Sequence, residues 1–260
     1  MKGIVLSGGS GTRLYPVTQA ANKQLLPVYN KPMVYYPLTT LMLAGCREIL
    51  LVVNPQDEEP YRRLFGDGRQ WGLEISYAVQ PRPGGIAEVF IVGREFVGKD
   101  RVGLILGDNL FHGDSLPAVA ERGARGKGAV IYAYWVSDPS PYGVVEFDAG
   151  DKPVSIVENP QQPRSNWAVT GLYFYDADVC EIAASIPRSA LGARRARDHR
   201  RQRAVSQAGP AHRREARPRL CLARHRHAVE PAARRAVRRD GRGPPGPADR
   251  HSRGGRLAQG

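Results

Sequence analysis

Apolar positions in the first part of the chain form two kinds of stretch that alternate as far as Asn109. Residues 2–6 (KGIVL) are an apolar run that ends abruptly in SGGSGTRL, the pattern of a strand feeding a glycine-rich loop. In YPLTTLMLAG (36–45), Leu38, Leu41 and Met42 recur at helical spacing and Gly45 supplies the stop. REILLVVN (47–54) is continuously apolar, as a strand covered on both faces would be. PQDEEPYRRLFGDG (55–68) begins polar, turns amphipathic and meets glycine, which predicts a helix. LEISYAVQ (73–80) alternates like a strand. GGIAEVFIVGREFV (84–97), with apolar residues at 86, 87, 90, 91 and 97, predicts one helix. VGLILGDN (102–109) reads as the next buried strand, ending in small and acidic residues.

This alternation predicts an α/β fold of Rossmann-like type, a mostly parallel sheet with helices on both faces. Such sheets bind ligands at the carboxyl ends of their strands. The glycine-rich loop after the first strand and Gly107-Asp108-Asn109 after the fourth both belong to that edge. Residues 129–136 (AVIYAYWV), 142–147 (YGVVEF), 153–157 (PVSIV) and 167–175 (WAVTGLYFY) predict further strands, shorter and separated by turns. They suit a mixed or antiparallel extension over the site.

After Asp176 the pattern stops. No Phe, Tyr or Trp follows Tyr175, no Ile follows Ile186, and five of the six His lie at or beyond 199. The net charge of +13 would suggest a nucleic-acid binder, but residues 190–260 carry 20 Arg against 5 acidic residues. Residues 1–189 keep 18 basic and 20 acidic residues, the balance of an ordinary cytoplasmic enzyme. A tail so poor in apolar groups has little to offset its own ordering entropy. One reading is a basic disordered tail attracted to nucleic acid or acidic surfaces. A sharper reading comes from its codons. RRARDHRRQ (194–202) can be encoded so that dropping a single nucleotide yields AELEITDV and the start of an Asn codon. The same frame through LCLARHR (220–226) permits GFAWLDTG. We read the tail as the product of a frame break near residue 190, with residues 1–188 as the functional domain and 189–260 as an aberrant, irregular segment.

Cys46, Cys180 and Cys221 have neither metal-ligand nor disulfide-framework spacing, and the first two sit among apolar residues as buried thiols would. The glycine-rich stretch from Ser7 to Thr12 stands where the apolar core of a signal peptide would run. No run approaches the ~20 apolar residues needed to span a bilayer. A cytoplasmic setting is expected.

The strongest chemical element is LSGGSGTRLYP (6–16), with KQLLP (23–27) a few residues on. Glycines let backbone N–H groups wrap a polyphosphate, and Arg13 and Lys23 bring positive charge to it. A Walker A loop is excluded because Gly11 is followed by Thr12-Arg13, and the dinucleotide fingerprint fails because Leu14 stands where its third glycine belongs. A carboxylate at a strand's carboxyl end beside a small residue, as at Asp108, suits a hard ion that bridges phosphates.

GGSGTRLxP with KQLLP after it resembles the signature of the sugar nucleotidyltransferases. KPMVYYPLTTLMLAG, WGLEISYAVQPRPGG, LILGDNLFHG, YGVVEFD and WAVTGLYFYD, in that order, are similar to the glucose-1-phosphate thymidylyltransferases of dTDP-sugar synthesis, over about residues 1–188. In the shifted frame the tail resembles that family's ELEITDVN and WLDTGT segments. The resemblance implies a Mg²⁺-dependent transfer of a thymidylyl group from dTTP to glucose 1-phosphate, giving dTDP-glucose and pyrophosphate. It assigns Gly8, Gly9, Ser10, Gly11, Thr12, Arg13 and Lys23 to the nucleotide phosphates, Gln80 and Gly85 to the thymine, and Asp108 to Mg²⁺. Arg13, Lys23 and Asp108 are the catalytic set. Asn109, Gly143, Glu158, Val169 and Thr170 are assigned to the sugar phosphate. A homo-tetramer is implied, with no membrane and no specific nucleic-acid partner.

The chain departs from that pattern at three places. Ser7 replaces the usual alanine. Asn159 replaces the lysine next to the sugar-binding glutamate. Ala223-Arg224-His225-Arg226 stands where the second metal-binding aspartate, in LDTG, is expected. Three alternatives stay open at this point: an inactive fragment, an Arg-rich nucleic-acid-sticking protein, and a sister enzyme that uses UTP, CTP or ATP.

Overall fold

The computed structural model describes residues 1–9, 11–81, 84–150 and 153–186, together with the backbone of 221–224. In chain order its first half runs β1 (Lys2–Ser7), α1 (Val17–Ala20), β2 (Pro27–Val28), β3 (Lys31–Pro32), α2 (Tyr35–Leu43), β4 (Glu48–Val53), α3 (Glu58–Phe65), β5 (Glu74–Val79), α4 (Ile86–Val92) and α5 (Arg94–Val97). The second half runs β6 (Val102–Leu106), β7 (Asn109–His112), α6 (Leu116–Arg125), β8 (Val130–Trp135), β9 (Gly143–Phe147), β10 (Pro153–Glu158), β11 (Trp167–Tyr175), α7 (Val179–Ser185) and β12 (Cys221–Arg224).

Eight strands form the central sheet, in the order β10-β9-β11-β6-β1-β4-β5, with β8 also paired to β11. β6, β1, β4 and β5 are mutually parallel. β11 joins β6 antiparallel and carries the antiparallel extension of β8, β9 and β10. The carboxyl ends of four parallel strands therefore share one edge, and the amino-terminal half of β11 returns to the same edge.

Alternation along the strands splits the core between the two faces. Val5, Ile49, Leu51, Ile105, Leu172 and Phe174 pack with α2, α3 and α6 on one face. Ile4, Leu50, Val52, Leu104, Tyr173 and Tyr175 pack with α4, α5 and α7 on the other. Helix α3 obeys its charge pattern. Glu58 and Glu59 stand in the first turn, Arg62 and Arg63 in the last, and each acid pairs with the arginine four residues on. Its inner face presents Tyr61 and Phe65, both fully buried.

Three expectations are corrected. The helix expected over 84–97 is broken at Gly93, which ends α4 and begins α5. Helix and sheet meet closely there, since a Cβ at Gly93 would stand 3.1 Å from Leu50 Cδ2 and 3.0 Å from the Val89 carbonyl. The strand expected to reach Asn109 ends at Leu106, and a turn at Gly107-Asp108 leads into β7. The tail, expected to be irregular, contributes β12, which pairs antiparallel with β7. The rest of that expectation lies outside the described residues. Cys46 and Cys180 are buried free thiols, as their surroundings suggested. Among the described residues no helix is long and apolar enough to cross a membrane.

Candidate active site

The site is assembled from the segments just beyond the parallel strands. After β1 the chain turns through Gly8, Gly9 (φ 112°) and Gly11 (φ 60°) into a 3-10 turn at Thr12–Leu14. Side chains bearing a Cβ rarely adopt those positive φ values, so glycine is required. Asn54, just past β4, holds this loop from both sides. Its Oδ1 accepts from Gly9 N at 3.3 Å, and its Nδ2 donates to Gly9 O at 3.3 Å. Thr18 Oγ1 donates to Gly11 O at 2.8 Å. Thr12 and Arg13 are exposed, and Ser10 lies outside the described residues.

A buried carboxylate organises the underside of the loop. Asp57, 8% exposed, accepts from Asn22 Nδ2 at 2.6 Å and from Asn54 Nδ2 at 2.7 Å. Asn22 Nδ2 also reaches Ser7 O at 3.3 Å, while its Oδ1 accepts from Gln24 N at 2.9 Å and from Tyr61 Oη at 3.3 Å. Asp57 thus ties the loop to the turn at Lys23–Leu25. Burial raises the Tyr61 hydroxyl well above its ordinary range, so it stays a neutral donor.

That turn aims Lys23 at Asp108, with Nζ to Oδ2 at 2.7 Å; the two side chains are 16% and 26% exposed. Asp108 comes from the turn after β6, beside Gly107. A Cβ at Gly107 would stand 2.6 Å from Ser7 Oγ and 3.1 Å from Gln24 Cγ, which is why only glycine lets β6 end against the loop. Among the described residues no group of three or more His, Cys, Asp or Glu could hold a metal ion. One strand-end carboxylate fits an ion that takes most of its ligands from phosphate oxygens and water rather than from a protein cage.

Gln80, immediately after β5, is 4% exposed. Its Nε2 donates to Glu88 Oε2 at 2.6 Å, and its Oε1 lies 3.5 Å from the Cβ position of Gly8. Gly85 (φ 81°) starts α4 beside it.

The candidates for the sugar phosphate gather on the neighbouring side of the same edge. Asn109 opens β7 and is fully buried. Its side-chain amide lies against Gly171, where a Cβ would collide with it. Thr170, 1% exposed, has a buried Oγ1 with no hydrogen-bond partner among the described residues. Gly143 and Glu158 are cross-strand partners in β9 and β10. Val169 pairs with Ala133 and its side chain belongs to the core, so only its backbone faces outward. Asn159 is exposed at φ 44°, a left-handed conformation that asparagine tolerates better than lysine. The register of β12 sets Ala223 opposite Leu110 and Arg224 opposite Asn109, one residue from Asp108.

Ser7, Gly8, Gly9, Gly11, Lys23, Gln80, Asp108, Asn109 and Thr170 are thus brought to one edge. The sequence reading missed Asn22, Asn54, Asp57 and Glu88. A polar residue just beyond an apolar run was the available signal for Asn54.

The profile of the nucleotidyl transferase family matches residues 2–207. The chain belongs to that family. Within it, the chain is 55% identical over 193 residues to the glucose-1-phosphate thymidylyltransferase of Neisseria meningitidis, covering 74% of this chain and 67% of that one. It is 54% identical over 192 residues to the enzyme of the same name from Mycobacterium tuberculosis, with the same two coverages. The chain spans about two thirds of the length of the curated relatives it matches. A Bacillus anthracis crystal structure assigned to a glucose-1-phosphate thymidylyltransferase, in complex with sucrose, superposes with a TM-score of 0.79 at 33% identity, over 91% of this chain and 93% of that one. A UDP-glucose pyrophosphorylase, at 21% identity and a TM-score of 0.67, over 80% and 88% of the two chains, shares the fold.

Proposed function

We propose that the domain formed by residues 1–188 carries out thymidylyl transfer from dTTP to glucose 1-phosphate, with dTDP-glucose and pyrophosphate as products. The observation that carries this reading is the meeting of the glycine loop, the Lys23–Asp108 pair and the buried Gln80 at one strand edge. The names of the relatives supply the substrates.

In the reaction, a phosphate oxygen of the sugar attacks the α-phosphorus of dTTP in line. The new P–O bond forms as the bond to the β-phosphate breaks, and pyrophosphate carries away the electron pair. Positioning and charge compensation do most of the work in such transfers. The loop of Gly8, Gly9, Ser10, Gly11 and Thr12 would take the phosphates, and Arg13 and Lys23 would offset their charge. Gln80 and Gly85 meet the base. Asn109, Gly143, Glu158, Val169 and Thr170 line the sugar-phosphate side. Asp108 would hold Mg²⁺, which when bound neutralises charge on the triphosphate. Lys23, paired with Asp108 in the structure, would turn to a phosphate oxygen of the nucleotide.

The chain is proposed to be a slow member of its family. Asn159 brings no charge to the sugar phosphate, and Arg224 occupies the register where the family supplies a second acid. Residues 189–260 are read as the aberrant tail. The tetramer implied by the resemblance would lack contacts from that part. A cytoplasmic setting, without membrane or specific nucleic-acid partners, completes the reading. The test is to incubate the chain with glucose 1-phosphate, Mg²⁺ and each of dTTP, UTP, CTP and ATP, and to separate nucleotide sugars by anion exchange. Slow formation of dTDP-glucose in preference to the other products is expected. Equal yields from all four would leave only a generic nucleotidyltransferase.

A further inference from the structure

Gln80 could present either end of its amide to a ligand, and the two ends read opposite base edges. The structure holds one end. Nε2 donates to Glu88 Oε2 at 2.6 Å, and a carboxylate only accepts, so the –NH₂ group is committed to that side. Oε1 is left toward the glycine loop, 3.5 Å from the Cβ position of Gly8. Glu88 sits in the first turn of α4, where the helix dipole favours a carboxylate. The helix starts at Gly85, which has no side chain to cap it, and the Glu88 carboxylate is turned to Gln80. The space it uses exists because residue 84 is glycine. A Cβ there would fall inside the Glu88 carboxylate, and its Oε1 would be only 2.9 Å away.

We infer that Glu88 is a positioning residue that sets base choice, by fixing Gln80 with its carbonyl toward the nucleotide. The inference rests on the reading of Gln80 as the residue that meets the base. A carbonyl acceptor suits the ring N–H of an imide pyrimidine, thymine or uracil. Cytosine offers a lone pair at the same position. With the amide free to flip, Gln80 could donate to that lone pair and accept from the exocyclic amine. With the amide fixed, two acceptors face each other and cytosine is rejected. The device does not separate thymine from uracil, which share the imide edge.

The test is equilibrium binding of dTTP and dCTP to the full chain in Mg²⁺, by calorimetry. The parent chain should prefer dTTP by about tenfold or more, the scale of one well-placed hydrogen-bonding pair. Glu88→Gln is isosteric but can offer either an acceptor or a donor, so the Gln80 amide can flip. Its dTTP:dCTP ratio should fall to within about threefold, chiefly by gaining dCTP affinity, which a merely structural defect would not produce. Gly84→Ala, which displaces the carboxylate by crowding, should give the same fall. Gln80→Ala separates the two layers of the argument. If it leaves dTTP affinity unchanged, or if the parent chain binds no dTTP, the reading of the site itself is wrong. If Gln80→Ala weakens dTTP but both Glu88→Gln and Gly84→Ala keep the parent ratio, only the role of Glu88 is overturned.

Discussion

Replacing Asp57 with alanine should loosen the glycine loop and the Lys23 turn together. The Asp57 carboxylate accepts two short hydrogen bonds, 2.6 Å from Asn22 and 2.7 Å from Asn54, in a site 8% exposed. Hydrogen bonds to a charged group contribute about 1.5–3 kcal/mol each, which sets an upper range of about 3–6 kcal/mol. Both asparagines keep a second acceptor at 3.3 Å, the carbonyls of Ser7 and Gly9, and the buried charge no longer needs desolvating. The net loss is therefore placed at about 3 kcal/mol for Asp57→Ala, and at about 1 kcal/mol for Asp57→Asn, which keeps one oxygen in place. For a domain of this size the alanine variant should melt about 6–12 °C lower. Urea unfolding measures the stability, and calorimetry with Mg-dTTP measures the loop. Affinity should fall by about tenfold in the alanine variant even well below its melting temperature, because Gly9 loses its preset position. Stability within about 0.5 kcal/mol of the parent, or unchanged dTTP affinity, would refute the idea that Asp57 organises the cradle.

Three further outcomes are expected. Gly171→Ala pushes a methyl group into the buried Asn109 amide, so it should cost about 2–3 kcal/mol in urea unfolding and weaken glucose 1-phosphate more than dTTP; a neutral effect would mean Asn109 can move freely. Asp108→Asn should abolish the Mg²⁺ dependence of dTTP binding, and an unchanged response to Mg²⁺ would remove Asp108 from the metal site. Burial pushes the Cys46 and Tyr132 groups up to about 12 and raises Tyr175 as well. Their folded values lie above the ordinary 9.0 and 10.0, so their contribution to stability is whole below pH 9 and is lost as pH rises toward 12. Urea midpoints should be level between about pH 7 and 8 and lower at about pH 10.5; a midpoint that holds or rises there contradicts this.

The parallel half of the fold was legible because its strands are continuous apolar or alternating runs ended by glycine or by a polar residue, as at Ser7, Asn54, Gln80 and Asp108. Those ends are also the site. Helix α6 escaped notice because its inner face uses Ala120 and Gly123 where larger apolar residues would have marked the period. Strands β2, β3 and β7 have no more than four residues each, too few for alternation to register. The break falls at Gly93, where Leu50 and Ile4 pack too closely across the interface for a larger residue. Asp57 and Glu88 look like helix-start acids in the sequence. Their inward roles depend on Asn22 and Gln80, which lie 35 and 8 residues away in the chain. β12 falls in a stretch with no hydrophobic pattern of its own; its backbone pairing with β7 could not have been read from CLAR.

A thymidylyltransferase site is proposed to persist in residues 1–188, slowed by the residues that follow it. The most direct test is pyrophosphate release with dTTP, glucose 1-phosphate and Mg²⁺, comparing the chain as it stands with one whose frame is restored after codon 190. The restored chain should turn over and yield dTDP-glucose. The present chain should show a kcat/KM lower by about a hundredfold or more, the scale expected for losing one charged partner from a closed site. Near-equal kcat/KM for the two, or no dTDP-glucose from the restored chain, would contradict the account.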